Sequence, residues 1–243
     1  MVLDACPGSQ KFRQPQPEEI KCPYCGKEVE IWTDEIKATC PNCKKVVFRK
    51  QEEMGCLEWC KYAKECVGGQ VYDNYMQNRA VAIKEKLLKE IEEYFGADIK
   101  RINHAKNVMC FAEEILKQEK ADFHIIIPAS ILHDVGIKIA EEKYGSSAGH
   151  YQEKEGPEIA KKLLLKLGFK TEDIDEICQI IAHHHSPGKV NTHNFKVLYD
   201  ADWLVNLKDE VDIKNKDKVK KIIDKVFLTE TGKEIAEKIY LSN

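Results

Sequence analysis

The residues with the clearest chemical potential lie where a polar group interrupts apolar sequence. His133-Asp134 closes the run Phe123 to Leu132, so an imidazole and a carboxylate sit at the end of a segment that should be buried. Burial of either group is costly unless it is hydrogen-bonded, paired or metal-bound. His104 falls on the apolar face of its segment, four residues before Val108 and seven before Phe111. Asp200 and Asp202 interrupt a third apolar pattern, Tyr199-Asp-Ala-Asp-Trp-Leu204. Two imidazoles and two carboxylates make a borderline-hard donor set suited to Mn, Fe, Co, Ni, Zn or Mg. A cation held that way polarises a bound oxygen and activates water near neutral pH.

The second group is made of cysteines. The chain has ten, and eight fall in the first 66 residues. Cys22-Pro-Tyr-Cys25-Gly and Cys40-Pro-Asn-Cys43 form C-x2-C-x14-C-x2-C. Each pair sets two sulfurs on a tight knuckle, and four thiolates suit a closed tetrahedral structural Zn site. The alternating segment between the pairs fits a small hairpin. So small and polar a segment has little core, and metal binding is expected to supply much of its folding energy. Cys6, Cys56, Cys60 and Cys66 could form a second site, either Zn or an Fe–S cluster, because Cys56 and Cys60 would share a helix face. A thioredoxin-like role for Cys22 and Cys25 is disfavoured, since no βαβ context surrounds them and a second C-x2-C is present.

The elements that must position these groups divide the chain. Residues 1 to 70 hold the cysteines, five of the eight prolines and the only credible strands, 28–33 and 45–49. Residues 71 to 243 are expected to be all-α. Val81, Ile83, Leu87, Leu88 and Ile91 recur near 3.6, with Gly96 as a C-cap. A second helix runs from about Arg101 to Glu119. The apolar segment 123–137 follows, then a loop through Gly145 to Gly149. Later helices are expected near 153–167, 172–185, 193–208, 214–227 and 230–241, with Thr171 as an N-cap.

Net charge is -3 and charged residues make up 33%, so no global basic field invites nucleic acid. No stretch has the length of apolar sequence that a membrane span needs. The N-terminus lacks a charged region followed by an apolar one, and a cytoplasmic location is expected.

The order His104, His133-Asp134-Val-Gly136, then Asp-Ala-Asp202-Trp-Leu resembles the HD-domain metal-dependent phosphohydrolase superfamily, whose signature is H…HD…D. The cysteine part resembles a zinc ribbon. The fold implied is mainly α: an all-helical HD-type domain preceded by a small metal-bound β or irregular domain. His104, His133 and Asp134 match the first three metal ligands. For the last, Asp202 with Trp203-Leu204 fits better than Asp200, which could instead orient a histidine. Some branches hold two metals. A single-metal site is expected here, with His150, His183 and His184 lining a phosphate pocket. On a helix His183, His184 and His185 would point about 100° apart and could not all face one site.

The resemblance implies hydrolysis of a phosphomonoester or phosphoanhydride, with a nucleotide as the expected substrate class. Asp134 would contact the attacking water, and His183, His184 or Lys138 would neutralise developing phosphate charge. The family's frequent arginine three residues after the first His is here Asn107, and the lysine of H-D-x-G-K is displaced to Lys138. Ser186-Pro187-Gly188 replaces the glycine-tyrosine-proline of the cyclic-di-GMP-degrading branch, which is disfavoured. The alternative is a nucleotide-sensing or nucleic-acid- or protein-binding module with little catalysis, using Lys44-Lys45 and Phe48-Arg49-Lys50.

Overall fold

In this computed structural model, residues 14–35, 37–48, 57, 60 and 62–242 are described. The chain forms two compact units, one ending at Glu85 and the other spanning Lys86–Asn243. The first holds two antiparallel hairpins. β1 (Pro17–Lys21) pairs with β2 (Glu28–Trp32), placing Lys21 opposite Glu28. β3 (Lys37–Thr39) pairs with β4 (Val46–Phe48), placing Thr39 opposite Val46. The alternation expected in 28–33 is realised, with Val29 and Ile31 buried and Glu28, Glu30 and Trp32 outward.

The hairpin arrangement differs from expectation. The two C-x2-C pairs do not flank one hairpin; each is the turn of its own. The unanticipated strands, Pro-Glu-Glu-Ile-Lys and Lys-Ala-Thr, are short and nearly without β-branched residues, so pairing alone makes them strands. Their core is small: Cys22, Val29, Cys40 and Val47. A second cluster joins Leu57, Ala63, Tyr75 and Ala82, drawing on α1 (Ala63–Val67) and the first part of α2 (Gly69–Phe95).

The second unit is helical throughout. After α2 ends at Gly96, with its amide on Glu92 O, come α3 (Ile99–Leu116), α4 (Phe123–Leu132), α5 (Gly136–Tyr144), α6 (Gly149–Lys166), α7 (Thr171–Ile181), α8 (His193–Glu210), α9 (Lys216–Val226) and α10 (Glu230–Tyr240). Side chains of Asp98, Asp122, Thr192, Asn215 and Thr229 accept from first-turn amides and fix the starts of α3, α4, α8, α9 and α10. Thr171 is not the cap expected of it. It is the first helical residue, and Lys170 precedes it without a side-chain bond.

The centre of this unit is α4, whose residues Ile125 to Leu132 are all buried. It packs against α3, α7 and α8, while α6 packs between α5 and α7. Phe123–Tyr144 is long and apolar enough to cross a membrane, yet 67% of its apolar window is buried inside the protein. It is also not one rod, because a turn at residues 133–135 separates α4 from α5. The close crossing of α5 over α6 explains the restart at Gly136: a Cβ there would lie 2.7 Å from Gly156 N.

Candidate metal centre and its cavity

Two helices and the turn that follows a third bring the expected residues together. His104 (α3), His133 and Asp134 (after α4) and Asp202 (α8) converge. His104 Nε2 lies 3.1 Å from His133 Nε2 and 3.1 Å from Asp202 Oδ1. Asp134 Oδ2 is 3.5 Å from His104 Nε2 and 3.4 Å from His133 Nε2. The imidazole of His133 is fixed by its own backbone, since Nδ1–H donates to Ser130 O at 2.8 Å. A carbonyl can only accept, so in the neutral ring the lone pair is on Nε2, which faces the other ligand atoms.

Charge in this cluster is balanced internally. Burial opposes a charge on His133, but Asp134 and Asp202 outweigh it and hold the imidazole well above its usual 6.5. Burial works equally against Asp134 and Asp202. His133 and His184 nevertheless hold Asp134 below the carboxylate range, and His104 and His133 do the same for Asp202. A proton taken up by His133 would sit on Nε2, the atom that a bound cation would occupy in its place.

Asp202, not Asp200, meets the histidines. Asp200 is fully buried on the far side of α8, accepting from Leu228 N (2.8 Å), Thr229 N (2.7 Å) and Thr229 Oγ1 (2.6 Å). It therefore ties the start of α10 to α8 and orients no histidine.

The remaining histidines sit differently from expectation. α7 ends at Ile181, so His183, His184 and His185 occupy a turn and the 100° helical spacing does not apply. His184 points inward: Nδ1–H donates to Ile181 O at 2.7 Å, repeating the device of His133. Its Nε2 is buried without a hydrogen-bond partner among the described residues, 3.5 Å from Asp134 Oδ1. Asp134, His184 and His185 thus form a second group of potential ligands beside His104, His133 and Asp134, with Asp134 common to both. His183 joins neither group. His150 lies against Tyr151, ring centroids 3.9 Å apart and tilted by 45°, instead of entering a ligand group. Lys138, expected at a phosphate, donates to Tyr94 O at 3.1 Å and lies 5.2 Å from the Tyr94 ring, because α5 turns it toward α2.

A cavity of about 550 Å³ opens over this cluster, with His104, Asp134, Asp202 and His185 in its wall. Lys100, Arg101 and Lys208 also line it. Arg101 is held by Asp98 at 2.8 Å and Glu141 at 2.6 Å. A smaller cavity of about 230 Å³ adjoins it through His185, Asp202 and Asn206, walled by Tyr199 and Trp203.

The model of the HD domain family matches residues 101–227, more than half of the chain. This chain belongs to the HD domain family. A search of curated proteins finds no match. A solved structure of a predicted HD superfamily hydrolase from an uncultured Thermotogales bacterium is similar to it. That likeness has 28% identity and a TM-score of 0.49, over 65% of this chain and 84% of the other. An HD domain implies a divalent cation and hydrolysis, and the donor set fits one. Ring nitrogens of His104, His133 and His184 lie beside carboxylate oxygens, and Nε2 of His184 is buried with no hydrogen-bond partner among the described residues.

Two residues around the HD site were not anticipated. Asn206 Nδ2 donates to Asp202 Oδ1 at 2.8 Å and fixes that carboxylate, as its position four residues along the same helix could have suggested. Gln152 lines the larger cavity, and no sequence signal marks it.

In the first unit the four cysteines come together as expected. Cys22 Sγ lies 3.6 Å from Cys43 Sγ, and Cys25 Sγ 3.6 Å from Cys40 Sγ. The knuckles repeat one bonding pattern: Gly26 N on Cys22 O and Lys44 N on Cys40 O. The Lys27 amide draws the Cys25 thiol down to about 6. The Lys45 amide works the same way on Cys43, but burial and neighbouring sulfurs outweigh it and push this thiol up to about 11. Such a split is what crowded thiolates show without a cation, and a zinc-ribbon-like metal site removes it. Cys60 is described and half-buried. Cys6, Cys56 and the side chain of Cys66 lie outside the described residues, as do Arg49 and Lys50.

Proposed function

We propose that this HD-domain hydrolase is a phosphohydrolase that cleaves a phosphomonoester or phosphoanhydride, with a nucleotide as the substrate class. The observation that carries the reading is the pairing of a His/Asp donor set with a cavity of about 550 Å³ whose wall also holds the ammonium groups of Lys100 and Lys208, beside Asp98 and Asp209. Phosphate oxygens are acceptors of both cations and N–H donors, so both parts of the wall recognise the same group. A divalent cation at His104, His133, Asp134 and Asp202 would polarise a phosphate oxygen and acidify bound water. Asp134 serves this site and the His184–His185 group together, which favours a two-metal arrangement over the single metal expected from sequence.

The protein's own groups do the rest. Ser130 O and Ile181 O hold two rings in one tautomer, and Asn206 holds Asp202, so little reorganisation remains for the reaction. Lys100 and Lys208 offset the charge of the phosphate. Arg101 carries two carboxylate partners and acts as a fixed part of the wall.

Phosphate and pyrophosphate release from a panel of nucleotides and simple phosphate esters, with Mn, Co, Ni, Zn or Mg, tests the reading. His133→Ala and Asp134→Ala should lose metal and turnover together, and full turnover by metal-free Asp134→Ala would sink it. The first unit favours an additional nucleic-acid contact, since Tyr24 is exposed and Lys45 Nζ lies 4.6 Å over its ring. Salt-dependent binding of oligonucleotide without any turnover would make binding, not hydrolysis, the function.

A further inference from the structure

Gln152 lies in the first turn of α6, 6% exposed, in the wall of the larger cavity. Its Nε2 donates to Ser147 O at 2.6 Å. That bond decides the orientation of the amide, because the reversed amide would set Oε1 against a carbonyl oxygen. With Nε2 so placed, Oε1 is a buried acceptor that no group among the described residues satisfies. A buried carbonyl oxygen without a donor is unfavourable, and an otherwise well-bonded fold leaves few of them.

The missing donor can be assigned by elimination among parts of a phosphate ester. Phosphate oxygens near neutral pH offer acceptors, so they do not pair with Oε1; they belong with the ligand cluster and with Lys100 and Lys208, elsewhere in the same wall. The donor then belongs to the organic part of the ester, where base N–H groups and sugar hydroxyls donate; of these, the hydroxyls lie nearer the phosphate of a nucleotide and so nearer the ligand cluster in the same wall. We propose that Gln152 is a specificity-determining residue that accepts a hydrogen bond from a hydroxyl on the sugar part of the substrate. This deepens the phosphohydrolase reading and rests on it for the position of the phosphate. A site built to bond a hydroxyl rejects the deoxy analogue, because the analogue leaves the acceptor buried and unpaired.

The test uses full-length, metal-loaded protein and pairs of ligands differing by one hydroxyl: ribo- and 2′- or 3′-deoxynucleotides, and the corresponding nucleosides. Turnover gives kcat/KM ratios for the nucleotide pairs, and equilibrium dialysis gives Kd ratios for the nucleosides, so the second readout stands without catalysis. Wild type should prefer the hydroxylated member of at least one pair by about tenfold or more. In Gln152→Leu that ratio should fall toward one through KM, and Gln152→Glu, which keeps an acceptor, should retain more of the preference than Leu. Melting temperature and metal content of each variant identify misfolding; if Leu misfolds, the Glu variant and the wild-type ratios decide. A wild-type ratio near one for every pair overturns the proposal, as does a ratio that Gln152→Leu leaves unchanged. Absence of turnover with a preserved nucleoside preference would refute the phosphohydrolase reading while leaving Gln152 as the hydroxyl acceptor.

Discussion

Gly136→Ala pits two calculable effects against each other. Alanine is the better helix former by about 1 kcal/mol in a helix interior, and by less at the first residue of α5. Against this, a Cβ at Gly136 would stand 2.7 Å from Gly156 N, 3.0 Å from Gly156 Cα and closer still to Gln152 O. All three are backbone atoms of α6, so no rotamer change can clear them. The helices must separate by roughly 1 Å, a distortion in the class of core overpacking at about 1–3 kcal/mol. Overpacking wins, leaving a net loss of about 2 kcal/mol. For a protein of this size that is a melting temperature lower by roughly 4–8 °C. Gly156→Ala supplies the internal comparison: its Cβ would meet Ile181 Cγ2 at 2.9 Å, a side-chain methyl able to move, so its effect should be smaller. Differential scanning calorimetry at fixed metal concentration measures both. Because Asp134 is two residues away, Gly136→Ala should also weaken metal binding. An alanine variant melting at or above wild type would refute the close-crossing argument.

Asp202→Asn should lower metal occupancy of the HD site, whereas Asp200→Asn should keep the metal and lose about 1–3 kcal/mol, since an amide N–H would face the amide of Leu228 or Thr229. Metal analysis with thermal melts reads both, and the reverse pattern would exchange their roles. Burial pushes the Cys178 thiol up to about 11, and its Sγ sits 3.4 Å from Pro157 O, while Cys110 is exposed. Alkylation of folded protein mapped by mass spectrometry should therefore label Cys110 at least about tenfold faster than Cys178; equal rates would contradict the packing of α7 on α6. The Lys143 ammonium holds the Glu155 carboxyl below its usual 4.5. A depressed carboxyl gives stability above that value and loses it as pH falls through the folded pKa. Glu155→Gln should thus flatten the stability loss just below pH 4.5 in urea titrations, and an unchanged slope would count against the ion pair.

The fold was legible wherever one period dominated. The run near 3.6 ending at Gly96, and the helices expected at 101–119, 193–208 and 230–241, appear within a few residues of α2, α3, α8 and α10. Its illegible parts have physical reasons. Residues 123–137 read as one apolar stretch, but α4 stops at Leu132 and α5 starts at Gly136, because the restart is dictated by how closely α6 approaches. Glycine at 136 allows that approach, and only the partner helix reveals it. β1 and β3 were missed because pairing across a C-x2-C turn, not composition, makes them extended.

The metal centre was legible in its ligands and less so in its support. His104, His133, Asp134 and Asp202 came from polar groups placed in apolar patterns, a signal of burial with a partner still to be found. His183–His185 misled because helical spacing was applied to residues beyond the helix end, although Pro187-Gly188 already marked a turn. In that turn backbone bonding, not period, decides direction, and Ile181 O turns His184 inward. Gln152 carries no signal at all, since a glutamine in a polar helix start reads as solvated surface. It becomes informative only when both ends of its amide are followed, one satisfied by Ser147 O and the other by nothing among the described residues. His184 Nε2 is unsatisfied in the same sense and lies at the same cluster of ligands. One atom has a lone pair fit for a cation and the other an oxygen fit for a hydroxyl. Both atoms belong to residues lining the two adjoining cavities at the metal centre, which therefore leaves one position open to a cation and another to a hydrogen-bond donor.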